Sequence, residues 1–149
     1  MSKYIKNIIF FVVILSIIFI FNIENKKSSI EMVKIEVRGV VLDVEISKTN
    51  EETALGLGGR PNLGGIDGMF FVFPFEARYG IWMKNMEFSI DIVWIDSLYR
   101  IVGIENDVSP KTYPNIYTPE NKVRFVLELG AGRAKDLNIM LGDKIILYK

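Results

Sequence analysis

Residues Trp82, Met83, Lys84 and Asn85 set an indole N–H, a thioether, an ammonium and a carboxamide side by side. On a strand alternate side chains face opposite ways, so Trp82 and Lys84 share one face and Met83 and Asn85 the other. One reading is a recognition patch, with Trp82 stacking on a ligand ring while Lys84 and Asn85 bind its polar groups. The plainer reading puts Trp82 and Met83 in the core and lets Asn85 hold a turn. Asp91 opens the apolar run Ile92-Val93-Trp94-Ile95. A carboxylate buried there must be paired, because an isolated buried charge costs several kcal/mol. Lys84 and Arg60 are its expected partners. Glu128 shares a strand face with Arg124 and Val126, which fits a solvated face with a weak Arg124–Glu128 contact. A sharper reading pairs Glu128 with Asp91 as acid and nucleophile or base of a glycoside hydrolase, which needs the two carboxyls roughly 5 to 9.5 Å apart.

Much other chemistry is excluded by composition. The chain has no histidine and no cysteine, so it has no Ser-His or Cys-His nucleophile, no thiolate zinc site and no disulfide. Asp67, Asp96, Glu105, Asp107 and Asp143 do not follow the D-x-D-x-D-G spacing of a calcium loop and read as turn residues. Ser89 stands five residues after Lys84 rather than in a Ser-x-x-Lys arrangement. The glycines between 56 and 68 do not follow a strand and open a helix, as a dinucleotide loop must. No metal and no cofactor is expected.

Lys plus Arg and Asp plus Glu number 18 each, a net charge of zero. The sum hides two parts. From Ile8 to Phe21 only Ser16 is polar, and Lys3 and Lys6 precede the run. With its flanks to Tyr4 and Ile23 this segment is long enough for a helix spanning the hydrocarbon core. No small-residue cleavage site follows, so a retained anchor is preferred over a cleaved signal peptide. The lysines before the span place the N-terminus in the cytoplasm and the rest outside; cleavage would instead give a secreted domain. Residues 1–23 are thus read as the anchor, contacting the lipid bilayer through residues 4–23. Residues 24–30 form a polar linker and residues 31–149 one extracytoplasmic domain. Four of the basic residues and one of the acidic precede residue 29, leaving 14 basic against 17 acidic. A mildly acidic domain without a Lys/Arg block argues against nucleic acid as a partner.

Within that domain Val33, Ile35 and Val37, then Val40, Leu42, Val44 and Ile46, alternate with mostly polar residues, which predicts an antiparallel strand pair turning near Arg38-Gly39. Thr49 and Glu52 form a capping-box signature opening a short helix to about Leu57. The run Met69 to Phe75 reads as a strand buried on both faces. Further strands are predicted at 80–84, 91–95, 100–106, 123–129 and 144–148, with a helical turn at 133–139. Seven or eight short strands predict a mainly β fold, an antiparallel sandwich or small barrel with one or two short helices.

From Gly56 onward the chain resembles the bacterial and archaeal domain-of-unknown-function family 192. The resemblance rests on Gly56-Leu57 with Gly59-Arg60, Gly68 to Phe73, Trp82-Met83-Lys84-Asn85, Asp91 to Asp96, and Pro110. It ends with Val126 to Leu129, Ala131-Gly132 and Gly142-Asp143. It implies a compact, mainly antiparallel β-fold, often secreted or membrane-tethered, with no established activity. Gly58, Met86, the Ser89-Ile90-Asp91 stretch and Leu98-Tyr99 depart from the family pattern. The favoured reading is therefore binding without catalysis. A small polar ligand or an envelope partner would sit at Arg60, Trp82, Lys84, Asn85 and Asp91, with Met69, Met83 and Glu128 as secondary candidates. A carboxylate-dependent hydrolase of a sugar polymer and a structural module of a membrane complex are the alternatives.

Overall fold

The opening alternation folds into a hairpin of β1 (Glu31–Val37) and β2 (Val40–Ser47). Arg38 and Gly39 at its tip take φ of 50° and 77°, the left-handed pair that matches a two-residue turn to the twist of its strands. This computed structural model describes residues 31–148, together with Tyr4, Phe10, Val12, Val13, Ile14 and Ser16. The chain divides into two units, Met1–Ile30 and Glu31–Lys149, and each is taken by itself. Most of the expected anchor, and all of the 24–30 linker, lie outside the described residues. Those described in the first unit are helical, and Ser16 donates to the Val13 carbonyl at 2.8 Å. Among the described residues no helix is long and apolar enough to cross a membrane.

After β2, Thr49 caps α1 (Asn50–Leu55). Its hydroxyl accepts from the Glu52 N–H, and the Glu52 carboxylate accepts from the Thr49 N–H in return. The helix ends two residues earlier than expected, where Gly56 adopts φ 53°. Ser47 and Thr53 hydroxyls, 2.9 Å apart, tie α1 to the end of β2.

β3 (Gly68–Ala77) then runs parallel to β2, which corrects the purely antiparallel expectation. A parallel neighbour needs a crossover of a dozen or more residues, and the stretch from Lys48 to Asp67 supplies it. The remaining strands are β4 (Ile81–Trp82), β5 (Ile90–Ile95), β6 (Ile101–Val108), β7 (Ile116–Tyr117), β8 (Val123–Gly130) and β9 (Ile145–Tyr148), with α2 (Arg133–Asp136) between the last two. Seven strands form one sheet in the order β6-β5-β8-β3-β2-β1-β9, and β4 and β7 form a separate ribbon. The two sheet edges approach at one end, where the backbones of Arg100 and Lys144 form an isolated antiparallel β-bridge and the Ile101 N–H donates to the Asp143 carbonyl at 2.8 Å. The result is a curled, partly closed barrel rather than a two-sheet sandwich.

Curling creates two apolar layers. Inside lie Ile35, Leu42, Val44, Phe70, Val93 and Leu127, with Ala134 and Leu137 from the α2 region packed against them. On the outer face Met69, Phe71, Ile92, Trp94 and Val126 form a second layer with Leu57 and Met83. β3 is buried from Gly68 to Phe73 except for a half-buried Val72, whereas Pro74 and Phe75 are exposed, so burial on both faces stops short of the Phe75 limit its apolar run predicts.

Candidate functional site

Register across the sheet pairs Glu45 with Met69, Met69 with Glu128 and Glu128 with Ile92, so these four side chains form one row on the outer face. Its two acids stand two strand spacings apart, roughly 10 Å, and both are buried. They are treated oppositely. Arg60 clamps Glu45 through two parallel hydrogen bonds, Nη1 to Oε1 at 2.8 Å and Nη2 to Oε2 at 2.6 Å. The bond to Glu45 raises the Arg60 guanidinium above its ordinary value. The loop after α1 carries Arg60 over the sheet: the Gly59 N–H donates to the Asn85 carbonyl at 2.7 Å. A Cβ at Gly58 would stand 2.9 Å from the Leu55 carbonyl oxygen and 3.3 Å from that of Lys84. Lysine at position 60 would keep the charge and lose the fork. Arg60→Lys is therefore expected to cost about 1–2 kcal/mol, read as a lower urea midpoint at unchanged slope; an unmoved midpoint would show that the fork contributes nothing.

Glu128 has no such clamp. Among the described residues no hydrogen bond or ion pair reaches its carboxyl, although the residue is only 5% exposed. Burial alone pushes its pKa up to about 8. The carboxyl faces a cleft of about 640 Å³ between α1 with Gly56-Leu57 and the β3–β4 segment. Phe71, Phe73, Tyr79 and Ile81 wall it, and Trp82 and Lys84 stand at its rim. Trp82 is 45% exposed. The Lys84 ammonium lies over its ring, 5.2 Å from the centroid; the two meet although the strand expected over 80–84 ends at Trp82 and Lys84 stands in the turn that follows. The pair can bind a ring or a charge at the mouth, and the floor offers a single carboxyl.

The structure brings Trp82, Lys84 and Glu128 to this cleft and leaves Arg60, Asn85 and Asp91 out of its lining. Asn85 is exposed in a turn at φ 59°. Met69 and Met83 are buried in the outer apolar layer. Asp91 is fully buried, and its partners are neither Lys84 nor Arg60. Oδ1 accepts from the Asp107 N–H at 2.8 Å and the Gly132 N–H at 3.1 Å, and Oδ2 accepts from the Ala134 N–H at 2.8 Å. The backbone turning around β6 and α2 supplies fixed donors where a lysine would have to be desolvated. Asp91 pairs in register with Leu129 and so faces inward, while Glu128 pairs with Ile92 and faces outward. These two carboxylates lie on opposite faces of the sheet, which removes them as a hydrolytic pair. The expected solvated contact between Arg124 and Glu128 is likewise replaced by burial of Glu128.

Sequence reasoning missed Glu45, which alternates in β2 like a solvent-facing residue, and Gly56 and Phe71 beside Glu128. Among the described residues no group of three acidic side chains gathers as a metal site would require.

The sequence model of domain-of-unknown-function family 192, described as uncharacterized ACR, matches residues 33–147. A UPF0127 protein of Thermococcus gammatolerans is 35% identical over 79 residues, 52% of this chain and 49% of that protein. A UPF0127 protein of Pyrococcus abyssi is 32% identical over 79 residues, covering 52% of this chain and 64% of the relative. The matched stretch thus spans about half to two thirds of these relatives. A crystal structure of a putative transcription regulator from Sinorhizobium meliloti superposes with a TM-score of 0.75 at 27% identity, over 81% of this chain and 97% of that one. A protein of unknown function from Novosphingobium aromaticivorans superposes with a TM-score of 0.74 at 28% identity, over 81% and 89% of the two chains.

Proposed function

Because the chain belongs to domain-of-unknown-function family 192, which passes on no activity, we propose from the site itself that the β-domain is a membrane-tethered, extracytoplasmic binding module whose ligand enters the cleft above Glu128. The observation that carries this reading is the unpartnered Glu128 carboxyl at the floor of an aromatic-walled cleft with an exposed indole at its rim. Apolar walls with few polar groups, one of them with a perturbed pKa, are the usual make-up of a small-molecule site. Binding is favoured over hydrolysis because the carboxylate a glycosidase would need beside Glu128 is absent from the cleft lining. The tether rests on the apolar run from Ile8 to Phe21 and the lysines before it. The regulator role ascribed to the Sinorhizobium protein is not carried over, since 17 acidic against 14 basic residues leave this domain net negative and without a Lys/Arg block to offer nucleic acid.

A ligand thermal-shift screen of the full-length protein in mild detergent tests the reading. A ligand held at about 100 times its Kd should stabilise by about 2.7 kcal/mol, and Trp82→Ala should abolish the shift. A library that moves no melting temperature, or a shift that survives Trp82→Ala, counts against the cleft. Mass spectrometry of the membrane fraction tests the tether: an intact N-terminus supports it, and a mature start between residues 23 and 30 refutes it.

A further inference from the structure

We infer that the cleft takes an organic cation, an ammonium or guanidinium group on an apolar body, seated with its charge on the Glu128 carboxylate and its body against Phe71 and Phe73. The inference rests on the binding reading above and names its ligand class.

The argument begins with how this fold treats buried acids. Glu45 receives two guanidinium N–H bonds, and Asp91 receives three backbone N–H bonds. Glu128 is as buried as Glu45 and receives none from any described residue. The exception is the one that opens onto a cleft, so the missing partner is one that arrives from outside. What Glu128 lacks is N–H donors and positive charge. A carboxylate or phosphate ligand offers neither. A hydroxyl offers one donor without charge, whereas an ammonium offers three donors and the charge together.

The surroundings suit that group. A Cβ built on Gly56 would stand 3.5 Å from Phe71 Cζ and 4.0 Å from Glu128 Oε2, so one point in the cleft touches both an aromatic ring and the carboxylate. Glycine, with no side chain, keeps it open. The Phe71 and Phe73 rings lie near-parallel with centroids 6.5 Å apart, and Phe73 stacks in turn on Tyr79, so the wall beside the carboxylate is an apolar aromatic one for the ligand's body. Trp82 already holds the Lys84 ammonium over its ring at the rim.

The charges around Glu128 permit one added cation. Its neighbours in the row on β3 and β5, Met69 and Ile92, are uncharged. Glu45 beyond Met69 is neutralised by Arg60. The cleft's other titratable groups are Lys48, Lys84 and Tyr79. Lys48 is paired with Glu31 at 2.8 Å, Lys84 is over Trp82, and the Tyr79 hydroxyl donates to the Phe75 carbonyl at 2.9 Å. With two lysines near the mouth, a ligand carrying one deep charge fits and a polycation does not.

Calorimetric titration of the full-length protein with 2-phenylethylammonium, 2-phenylethanol and 3-phenylpropionate tests the inference at pH 6, 7 and 8. The ammonium probe is expected to bind most tightly. Its affinity should rise up to about tenfold per pH unit as Glu128 loses its proton. Glu128→Gln keeps the shape and removes the charge; it should weaken the ammonium probe about tenfold or more and 2-phenylethanol much less, so that the ammonium loses its lead over the alcohol. Two results overturn the cation assignment and leave the cleft as a binding site: the alcohol or the carboxylate binding best, or the Gln variant holding the ammonium as tightly as wild type. Binding of none of the three, together with a blank thermal-shift screen, overturns the binding module itself.

Discussion

Replacing Asp91 with alanine is expected to remove about 3–5 kcal/mol of stability and to lower the melting temperature by roughly 15 °C. The loss is large because the side chain is fully buried and fastens two separate stretches of backbone through three amides: the end of β6 at Asp107, and the Gly132 turn with the first turn of α2 at Ala134. Removing it leaves three amide N–H groups without their acceptor, and each hydrogen bond to a charged group is worth about 1.5–3 kcal/mol. It also unfastens Ala134 and Leu137, which close the inner core. Asn in place of Asp91 keeps one acceptor but turns an NH2 group against an N–H donor, so Asp91→Asn should lose at least half as much. Differential scanning calorimetry of both variants measures this. An Asp91→Ala protein melting within about 3 °C of wild type would mean that these amides find other partners, and that Asp91 does not fasten the α2 junction.

Asp91 also marks where sequence reading stops. That a carboxylate at the head of an apolar run must be paired follows from the cost of burying charge, and the pairing is there. Its partners could not be read because they are backbone groups 16, 41 and 43 residues away, and a backbone N–H has no signature in a sequence. The β1–β2 hairpin and the Thr49 capping box were legible for the opposite reason: both are settled within a few consecutive residues. The parallel pairing of β2 with β3 is a long-range choice of register, and nothing local distinguishes it from an antiparallel one. At the site, strand periodicity correctly put Glu128 opposite Leu127 and Leu129, whereas Trp82 and Lys84 meet because the turn after β4 folds Lys84 back over the indole, not because both lie on the strand expected at 80–84. Periodicity assigns a face without saying what covers it. That α1 and the Gly56-Leu57 turn would shield the face of Glu128, and that Arg60 would satisfy Glu45 and leave Glu128 alone, depends on where a crossover loop lands.

The buried, unpaired Glu128 carboxyl should make the protein's stability fall as pH rises, the reverse of the usual behaviour of a paired acid. Burial holds the folded-state pKa of Glu128 at about 8, against an ordinary value of 4.5. Between these two values the folded chain keeps a proton that the unfolded chain has released, so the unfolded state binds fewer protons and stability declines with pH. The decline begins near 4.5, approaches about 1.4 kcal/mol per pH unit, and is complete above about 8. Its full extent is on the order of 4–5 kcal/mol, a large share of a domain's total stability. Glu128→Gln has no proton to hold or lose. Its melting temperature should match wild type near pH 5 and exceed it by roughly 15 °C near pH 9, as thermal unfolding across that range would show. Parallel pH profiles for the two proteins would mean that Glu128 ionises freely in the fold and is solvated there. A widening gap would mean that the chain retains a costly acid in its cleft although an isosteric amide would hold the fold better. Such a cost is characteristic of groups kept for binding rather than for folding. A cation reaching Glu128 would restore the stability that its ionisation removes, coupling occupancy of the cleft to the stability of the whole barrel.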